Sequence, residues 1–211
     1  MKRDLSRRIL LRFSNYSVFT FRDLRLQFKD EVTEANLLRI LSYLKKSGRI
    51  YGVRKGIYTT KKDSMVSGFA FKPFYYGMAS ALTIRELWDQ NSRPEIITTR
   101  HVRASEMKIF GEEGNRIFVH HIPMKYFFGF DMLEYGKIKV PVSDPEKTLI
   151  DLFYYKTRLS IKNYGGLLKK IDIERLMEYL RRYDKHTKTT VLNFIKRFKQ
   201  PAEAGKLDNP Y

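Results

Sequence analysis

Hydrophobic side chains recur at helical spacing in three separate stretches of the first fifty residues. The apolar positions are Leu5, Ile9 and Phe13, then Leu24 and Phe28, then Leu37, Leu38, Leu41 and Leu44. Thr20 and Thr33 precede the second and third stretches, where a hydroxyl can cap a helix, and Asp23 completes a capping box at the second. The pattern predicts three amphipathic helices, the last of which ends at Gly48.

A short basic ribbon follows the third helix. Residues 49–53 and 57–59 are rich in β-branched and aromatic side chains and flank the turn Arg54-Lys55-Gly56, so they predict a β-hairpin. Three helices followed by a cationic hairpin are typical of a winged helix-turn-helix, whose third helix enters a DNA groove. We therefore predict that residues 1–62 form a winged helix-turn-helix DNA-binding domain, with the hairpin as its wing.

The pattern predicts a different architecture after residue 62. Residues 61–73 carry small and turn-forming side chains and predict an irregular linker. The following segments predict a helix from Phe74 to about Gln90, strands at 95–99, 107–110, 116–120 and 137–140, a helix capped by Asp144, and basic helices over 163–199. The expected fold class is α+β: the N-terminal winged helix-turn-helix, an α+β regulatory domain at 74–199 with a mostly antiparallel sheet and C-terminal helices, and a flexible tail at 200–211.

Basic residues outnumber acidic ones by 41 to 23, which gives a formal net charge of +18. Residues 1–62 carry a net +11 and residues 149–211 a net +7, whereas residues 63–148 are neutral. This distribution indicates a polyanionic partner, either a nucleic acid or a membrane surface. The chain has no cysteine, which excludes thiol catalysis and cysteine-ligated metals. It has no apolar run long enough to span a bilayer, so we expect a cytoplasmic protein.

The face of the third helix opposite its leucines is the candidate DNA-binding surface. The candidate residues are Thr33, Asn36, Arg39, Tyr43 and Lys46 on the helix, with Arg54 and Lys55 on the hairpin. Arginine can form a bidentate pair with guanine and asparagine with adenine, whereas lysine and tyrosine can hold phosphates. The alternatives are an ordinary solvated helix face and a charged hairpin tip that only keeps the strand edge soluble.

Asp144, Glu146 and Lys147 are the residues most suggestive of catalysis, because nuclease sites combine carboxylates with a lysine. The chemistry of a helix start explains the same segment: Asp144 caps the helix, Pro145 takes the first helical position and Glu146 meets the positive helix end. The histidines are His101, His120, His121 and His186, and the adjacent pair in a strand would point to opposite faces. We therefore expect no metal site, no cofactor and no enzymatic activity.

Three segments, taken together, resemble those of a known family. They are Lys55-Gly56-Ile57-Tyr58, Tyr75-Tyr76-Gly77-Met78-Ala79-Ser80-Ala81-Leu82 and Asp144-Pro145-Glu146-Lys147-Thr148-Leu149-Ile150-Asp151. In this order and spacing, about residues 5–155 resemble the abortive-infection AbiEi-type antitoxins of type IV toxin-antitoxin systems. The motif positions are Gly56, Tyr58, Tyr76, Gly77, Ser80, Ala81, Asp144, Pro145, Glu146, Lys147 and Asp151.

The resemblance implies an autorepressing antitoxin in which these motif positions are structural. Its winged helix would bind double-stranded DNA at inverted repeats in its own promoter, and its second domain would counteract a nucleotidyltransferase-like toxin without forming a stable complex. Two other classes stay open from the sequence: a metal-dependent nuclease targeted by a winged helix, and an RNA- or ribosome-associated basic protein. The cations of the C-terminal helices could extend the DNA footprint, face another partner or be solvated; they are Lys169, Lys170, Arg175, Arg181, Arg182 and Lys185.

Overall fold

The N-terminal third of the chain packs three helices against a small sheet. The computed structural model describes residues 2–88, 93–102, 106–108, 116–157, 159 and 161–199. In chain order the first elements are α1 Lys2–Phe13, β1 Phe19–Thr20, α2 Phe21–Phe28, α3 Glu34–Lys46, β2 Tyr51–Arg54 and β3 Ile57–Thr59. Strand β3 lies between β1 and β2 and is antiparallel to both. The three predicted helices and the hairpin are present, and β1 was not predicted.

Apolar side chains from all three helices meet in one core. The buried residues are Leu5, Ile9 and Phe13 of α1, Leu24 and Phe28 of α2, and Leu37, Ile40, Leu41 and Leu44 of α3. The predicted leucine face of α3 was wrong at Leu38, which is 53% exposed, and Ile40 is buried instead. Leu38 lies about a third of a turn from the centre of the buried stripe, on the flank that faces solvent.

The rest of the chain forms a larger sheet and five α-helices among the described residues. The elements are a 3-10 helix Ser64–Phe71, β4 Phe74–Tyr76, α4 Met78–Ile84, β5 Glu95–Thr98, β6 Glu106–Lys108, β7 Arg116–His121, a 3-10 helix Met124–Tyr126, β8 Phe130–Tyr135, β9 Ile138–Ser143, α5 Pro145–Tyr154, α6 Ile161–Leu168, α7 Ile173–Leu180 and α8 Lys185–Lys199. The sheet order is β6-β7-β5-β4-β9-β8. Pairs β4–β9 and β5–β7 are parallel and the others antiparallel. The α+β class with mostly antiparallel pairing is thereby confirmed.

The predicted helix from Phe74 to about Gln90 was wrong at both ends, since α4 covers only Met78–Ile84 and residues 85–88 are not helical. Residues 74–76 form β4, and α4 begins only at Met78 because Gly77 is extended, with φ −121° and ψ −175°. Tyr75 and Met78 are both buried in one core. They are three residues apart, which is a helical spacing, although Tyr75 belongs to a strand and Met78 to the helix that follows it. Residues 89–90 lie outside the described part of the chain, as do the predicted turn at 111–115, the predicted strand end at 109–110 and the predicted tail at 200–211.

The segment predicted as an irregular linker is largely a buried helix. Within residues 61–73 the chain forms the 3-10 helix Ser64–Phe71, hereafter the connecting helix. The side chain of Asp63 caps it by accepting a hydrogen bond from the Met65 N–H at 2.8 Å. Apolar residues occupy most of its positions, and burying them outweighs the turn-forming character of the segment.

Both faces of the large sheet are covered. Successive side chains of a strand point to opposite faces, and Tyr75 and Ile97 join a core with α5, α6, α7 and α8, whereas Tyr76 and Ile96 join one with the connecting helix. The second core also receives Val53 from the N-terminal hairpin. None of the helices in the described part of the chain has the length and apolar content that crossing a bilayer requires.

Candidate nucleic-acid interface

Helix α3 is fixed at both ends by local hydrogen bonds. At its start the Thr33 hydroxyl accepts from the N–H of Asn36 at 3.4 Å. After its end the N–H of Arg49 donates to the carbonyl of Leu44 at 2.9 Å, and Gly48 supplies the left-handed φ of +64° that ends the helix. These bonds set where α3 begins and ends, and its buried apolar residues set which face meets solvent.

The predicted DNA-binding residues of α3 share its exposed side. Asn36, Arg39, Tyr43 and Lys46 are all exposed, and Tyr43 keeps 55% of its surface accessible. Thr33 is exposed at the N-cap of the same helix. The structure therefore brings the four helix side chains onto one solvent-facing side of α3, opposite its buried residues, while Thr33 lies at the N-terminal end of the helix.

The cations of α3 differ from several of those on α1 and α2 in their partners. Arg8 of α1 forms two hydrogen bonds to Glu31, at 2.6 and 2.8 Å, and this contact lowers the pKa of the Glu31 carboxyl. Arg25 of α2 pairs with Glu34 at 3.0 Å. Among the described residues, no ion pair involves either cation of the predicted α3 face. The positive charge of that face is not neutralised from within the described chain.

The hairpin places its two cations beside a glycine turn. Gly56 adopts φ +75°, which favours glycine over any residue with a Cβ, and its carbonyl accepts from the Phe21 N–H at 3.0 Å. Tyr58 packs against the N-terminal core. Arg54 and Lys55 are exposed, and the Arg54 guanidinium lies 5.6 Å from the centre of the Phe71 ring.

The motif around β4 and α4 holds backbone segments together. The Tyr76 hydroxyl donates to the Met65 carbonyl and accepts from the Gly68 N–H at 3.0 Å, both in the connecting helix. The Ser80 hydroxyl accepts from the Glu95 N–H at 2.8 Å. Ala81 is fully buried. These contacts join β4 to the connecting helix and the start of β5 to α4.

Gly77 and Glu95 complete the same region. A Cβ at Gly77 would clash with the terminal methyl of Ile97, so a larger residue at this position requires the Ile97 side chain to shift. The Glu95 carboxylate accepts from the Ala79 N–H at 2.8 Å. Burial raises the pKa of Glu95 to about 7, against the opposing effect of that hydrogen bond. Glu95 was not singled out from the sequence, since only its tertiary burial makes it unusual.

The start of α5 has the predicted N-cap at Asp144 and the predicted proline at Pro145. The Asp144 side chain accepts from the Lys147 N–H at 2.7 Å, and Pro145 occupies the first helical turn. Asp144 also accepts a hydrogen bond from the Tyr179 hydroxyl at 2.7 Å. Burial nevertheless raises the pKa of Asp144 above its ordinary value.

Glu146 lies in the first turn of α5, as predicted, and its carboxyl group also reaches a second helix. Its side chain is buried, and Oε1 accepts from the backbone N–H of Asp172, at the start of α7, at 2.6 Å. Arg175 Nη1 lies 3.9 Å from Glu146 Oε2. The carboxyl group therefore joins α5 to α7, and burial raises its pKa.

Lys147 and Asp151 form a fully buried ion pair on α5. Lys147 Nζ donates to Asp151 Oδ1 and, at 2.9 Å, to the Tyr183 hydroxyl. The Tyr75 hydroxyl donates to Asp151 Oδ2 at 2.9 Å. Burial is the largest influence on both charges, raising the pKa of Asp151 and lowering that of Lys147. The spacing of four residues between Lys147 and Asp151 on one helix signals the pair, but nothing in the sequence points to Tyr183.

The histidines are distributed over separate contacts. His101 and His121 stack with ring centres 4.1 Å apart, and His120 packs on Tyr155 at 4.8 Å. Burial lowers the pKa of His120 to about 4. In the ranges that the structure describes, no three His, Cys, Asp or Glu side chains are grouped as metal ligands.

Comparison with known proteins gives a likeness in fold. No protein-family model and no curated protein matches the chain. Among solved structures, the RV2827C protein from Mycobacterium tuberculosis matches with a TM-score of 0.61 and 13% sequence identity, over 90% of this chain and 75% of that chain. The fold is shared. At this identity the likeness carries no function from that protein to this chain.

Proposed function

We propose that the protein binds double-stranded DNA through α3 and the β2–β3 hairpin, used as a winged helix-turn-helix, and acts as a transcriptional regulator. The observation that supports this most is the α3 face itself: Asn36, Arg39, Tyr43 and Lys46 are exposed together, and its cations have no ion-pair partner among the described residues. A face that only keeps the protein soluble needs no such grouping of amide, guanidinium, phenol and ammonium groups.

The side chains of this face can make two kinds of contact with a duplex, to base edges and to phosphates. Arg39 can form a bidentate pair with guanine and Asn36 with adenine in the major groove. Thr33, Tyr43 and Lys46 can bind phosphate oxygens, and phosphate contacts supply much of the affinity but little sequence preference. The hairpin, with Arg54 and Lys55 exposed, would lie along the neighbouring backbone.

We further propose that the regulator is the antitoxin of a type IV toxin-antitoxin operon. The support is the resemblance of its three ordered segments to those of AbiEi-type antitoxins. In this chain several of the motif positions make the contacts described above. In this proposal the protein binds inverted repeats in its own promoter. It counteracts a nucleotidyltransferase-like toxin without a stable complex between them.

The test is a mobility-shift assay with the full chain and a labelled duplex carrying the inverted repeats upstream of its gene. We expect a shift at low salt that unlabelled operator duplex removes at lower concentration than a scrambled duplex or a structured RNA of equal length. Incubation of supercoiled plasmid with Mg²⁺ or Mn²⁺ should leave it uncut. No shift at low ionic strength, preferential loss to the RNA, or cutting that Glu146→Gln abolishes would each refute the proposal.

A further inference from the structure

The inner face of the hairpin belongs to the core of the other half of the molecule. Val53 is 2% exposed and packs in the cluster that contains Met65 and Phe71, with Ile57 and Val18 at its edge. The strand pairing is irregular at this point: Gly52 pairs with Tyr58, and Arg54 already pairs with Ile57. Such a bulge bends a strand and re-aims its side chains.

The surface under the hairpin is the connecting helix, which is hydrogen-bonded to the large sheet. Phe71, its last residue, is fully buried. The Thr98 hydroxyl on β5 lies 2.8 Å from the Phe71 carbonyl and 2.7 Å from that of Pro73. With the bonds of Tyr76 to the same helix, these contacts tie it to the large sheet.

Arg54 spans this junction. Its guanidinium lies 5.6 Å from the centre of the Phe71 ring, within the range of a cation–π contact. The residue is exposed, and no described carboxylate forms an ion pair with it. Among the described residues, the Phe71 ring is the contact that the structure shows for this cation.

We propose that Arg54 is a positioning residue: by stacking on Phe71 it fastens the hairpin to the connecting helix, and Lys55 at the turn makes the phosphate contact. This inference rests on the proposed DNA-binding function and gives two adjacent cations different roles. It also means that the second half of the molecule sets the placement of the hairpin on DNA.

The test compares Arg54→Gln, Arg54→Lys and Lys55→Gln in the full chain by fluorescence anisotropy with the operator duplex over a range of salt concentrations. A lysine retains the charge but lacks the planar group that stacks on an aromatic face. We expect Arg54→Gln to weaken binding by about two- to fivefold, the equivalent of a cation–π contact. Arg54→Lys should weaken it less, since an ammonium group keeps the cation–π attraction but not the planar stacking. Both variants should keep the salt dependence of the parent. Lys55→Gln should reduce the slope of log K against log salt by about 0.9, the value for one phosphate contact.

A direct phosphate contact by Arg54 predicts the opposite pattern. Arg54→Lys would bind like the parent and Arg54→Gln would lose the same slope as Lys55→Gln, which would overturn the inference. So would parent-like affinity in both Arg54 variants. Phe71→Leu adds a second test where it folds: Arg54→Gln should have no further effect in that background, and an undiminished effect there would contradict the proposal.

The same measurements separate this inference from the function on which it rests. If neither Arg39→Ala nor the parent binds operator, the DNA-binding proposal fails, and if they bind it equally, the assignment of the α3 face as the reading surface fails. If Arg39→Ala weakens binding while Arg54 behaves as a phosphate contact, only the positioning role is wrong.

Discussion

Helices α3 and α5 both carry lysine and polar side chains within an apolar pattern, but they use them in opposite ways. On α3 the cations are exposed and unpaired among the described residues, whereas Lys147 of α5 is fully buried against Asp151 and Tyr183. An exposed, uncompensated cation is free to meet an external anion at little desolvation cost. A buried and paired one already has its anion, and serves the fold. The comparison separates the candidate interface on α3 from the motif at residues 144–151, which the sequence analysis also singled out.

The largest effect is expected where a charge is left buried without its partner. Lys147→Met removes the cation and strands Asp151 in the core, which should lower the free energy of unfolding by about 3–5 kcal/mol. Urea unfolding followed by circular dichroism measures the loss. Lys46→Met on the exposed face is the matched control and should change stability by no more than about 0.5 kcal/mol. Equal stability of the two variants would contradict the contrast between the helices.

Replacing both members of the buried pair sharpens the same point. Lys147→Met combined with Asp151→Leu leaves neither charge unpaired, so we expect it to recover part of the stability that Lys147→Met alone loses. The Tyr75 and Tyr183 hydroxyls then lack their partners, which limits the recovery. A double variant no more stable than Lys147→Met would show that the stranded carboxylate is not the cause of the loss.

On the exposed face the expected loss is in binding. Arg39→Ala should weaken operator binding by about 1–3 kcal/mol, roughly 5- to 150-fold, and relax the preference for operator over scrambled duplex. Lys139→Ala, which removes the same charge from an exposed position on β9, is the control and should leave that preference unchanged. If the two variants bind alike, Arg39 reads no base.

Glu95, a half-buried acid with no ion pair among the described residues, gives a pH test. The pKa of Glu95 is raised from 4.5 to about 7 in the folded protein, so the folded state holds its proton more tightly than the unfolded state does. Its contribution to stability is therefore fully present below pH 4.5 and is lost as the pH rises to about 7, by about 1–3 kcal/mol. Urea midpoints between pH 4.5 and 8 measure this. Glu95→Gln should remove this part of the pH dependence of stability. A pH profile identical to that of the parent would contradict the assignment to Glu95.

The smallest effect concerns one phosphate contact. Lys46→Gln should reduce the slope of log K against log salt by about 0.9 and weaken operator and scrambled duplex alike. Its loss of affinity at low salt should not favour one sequence over the other. A selective loss of operator binding would mean that Lys46, too, reads a base.

Local chemistry predicted much of the chain, and long-range contacts account for what it missed. The capping box of Thr20 and Asp23 and the cap at Asp144 were both predicted and are confirmed, because each needs only residues three positions apart. Strand β4 was missed because its partners, β5 and β9, lie further along the chain and its apolar residues continue the spacing of α4.

The candidate site divides in the same way. The α3 face follows from helical periodicity alone, and all its predicted residues are exposed together. The stacking of Arg54 on Phe71 requires the connecting helix to fold back under the hairpin, and that segment has the composition of a linker. The buried set of Tyr75, Lys147, Asp151 and Tyr183 comes from three separate segments, so pattern within any one of them could not assemble it.

Protection of lysines from acetylation by bound operator duplex tests the central claim most directly. With the full chain saturated by DNA and the modified sites quantified by mass spectrometry, we predict that Lys46 and Lys55 lose reactivity while the exposed Lys139 keeps it. Lys46 and Lys55 reacting equally with and without bound duplex would contradict the assignment of α3 and the hairpin as the surface that contacts DNA.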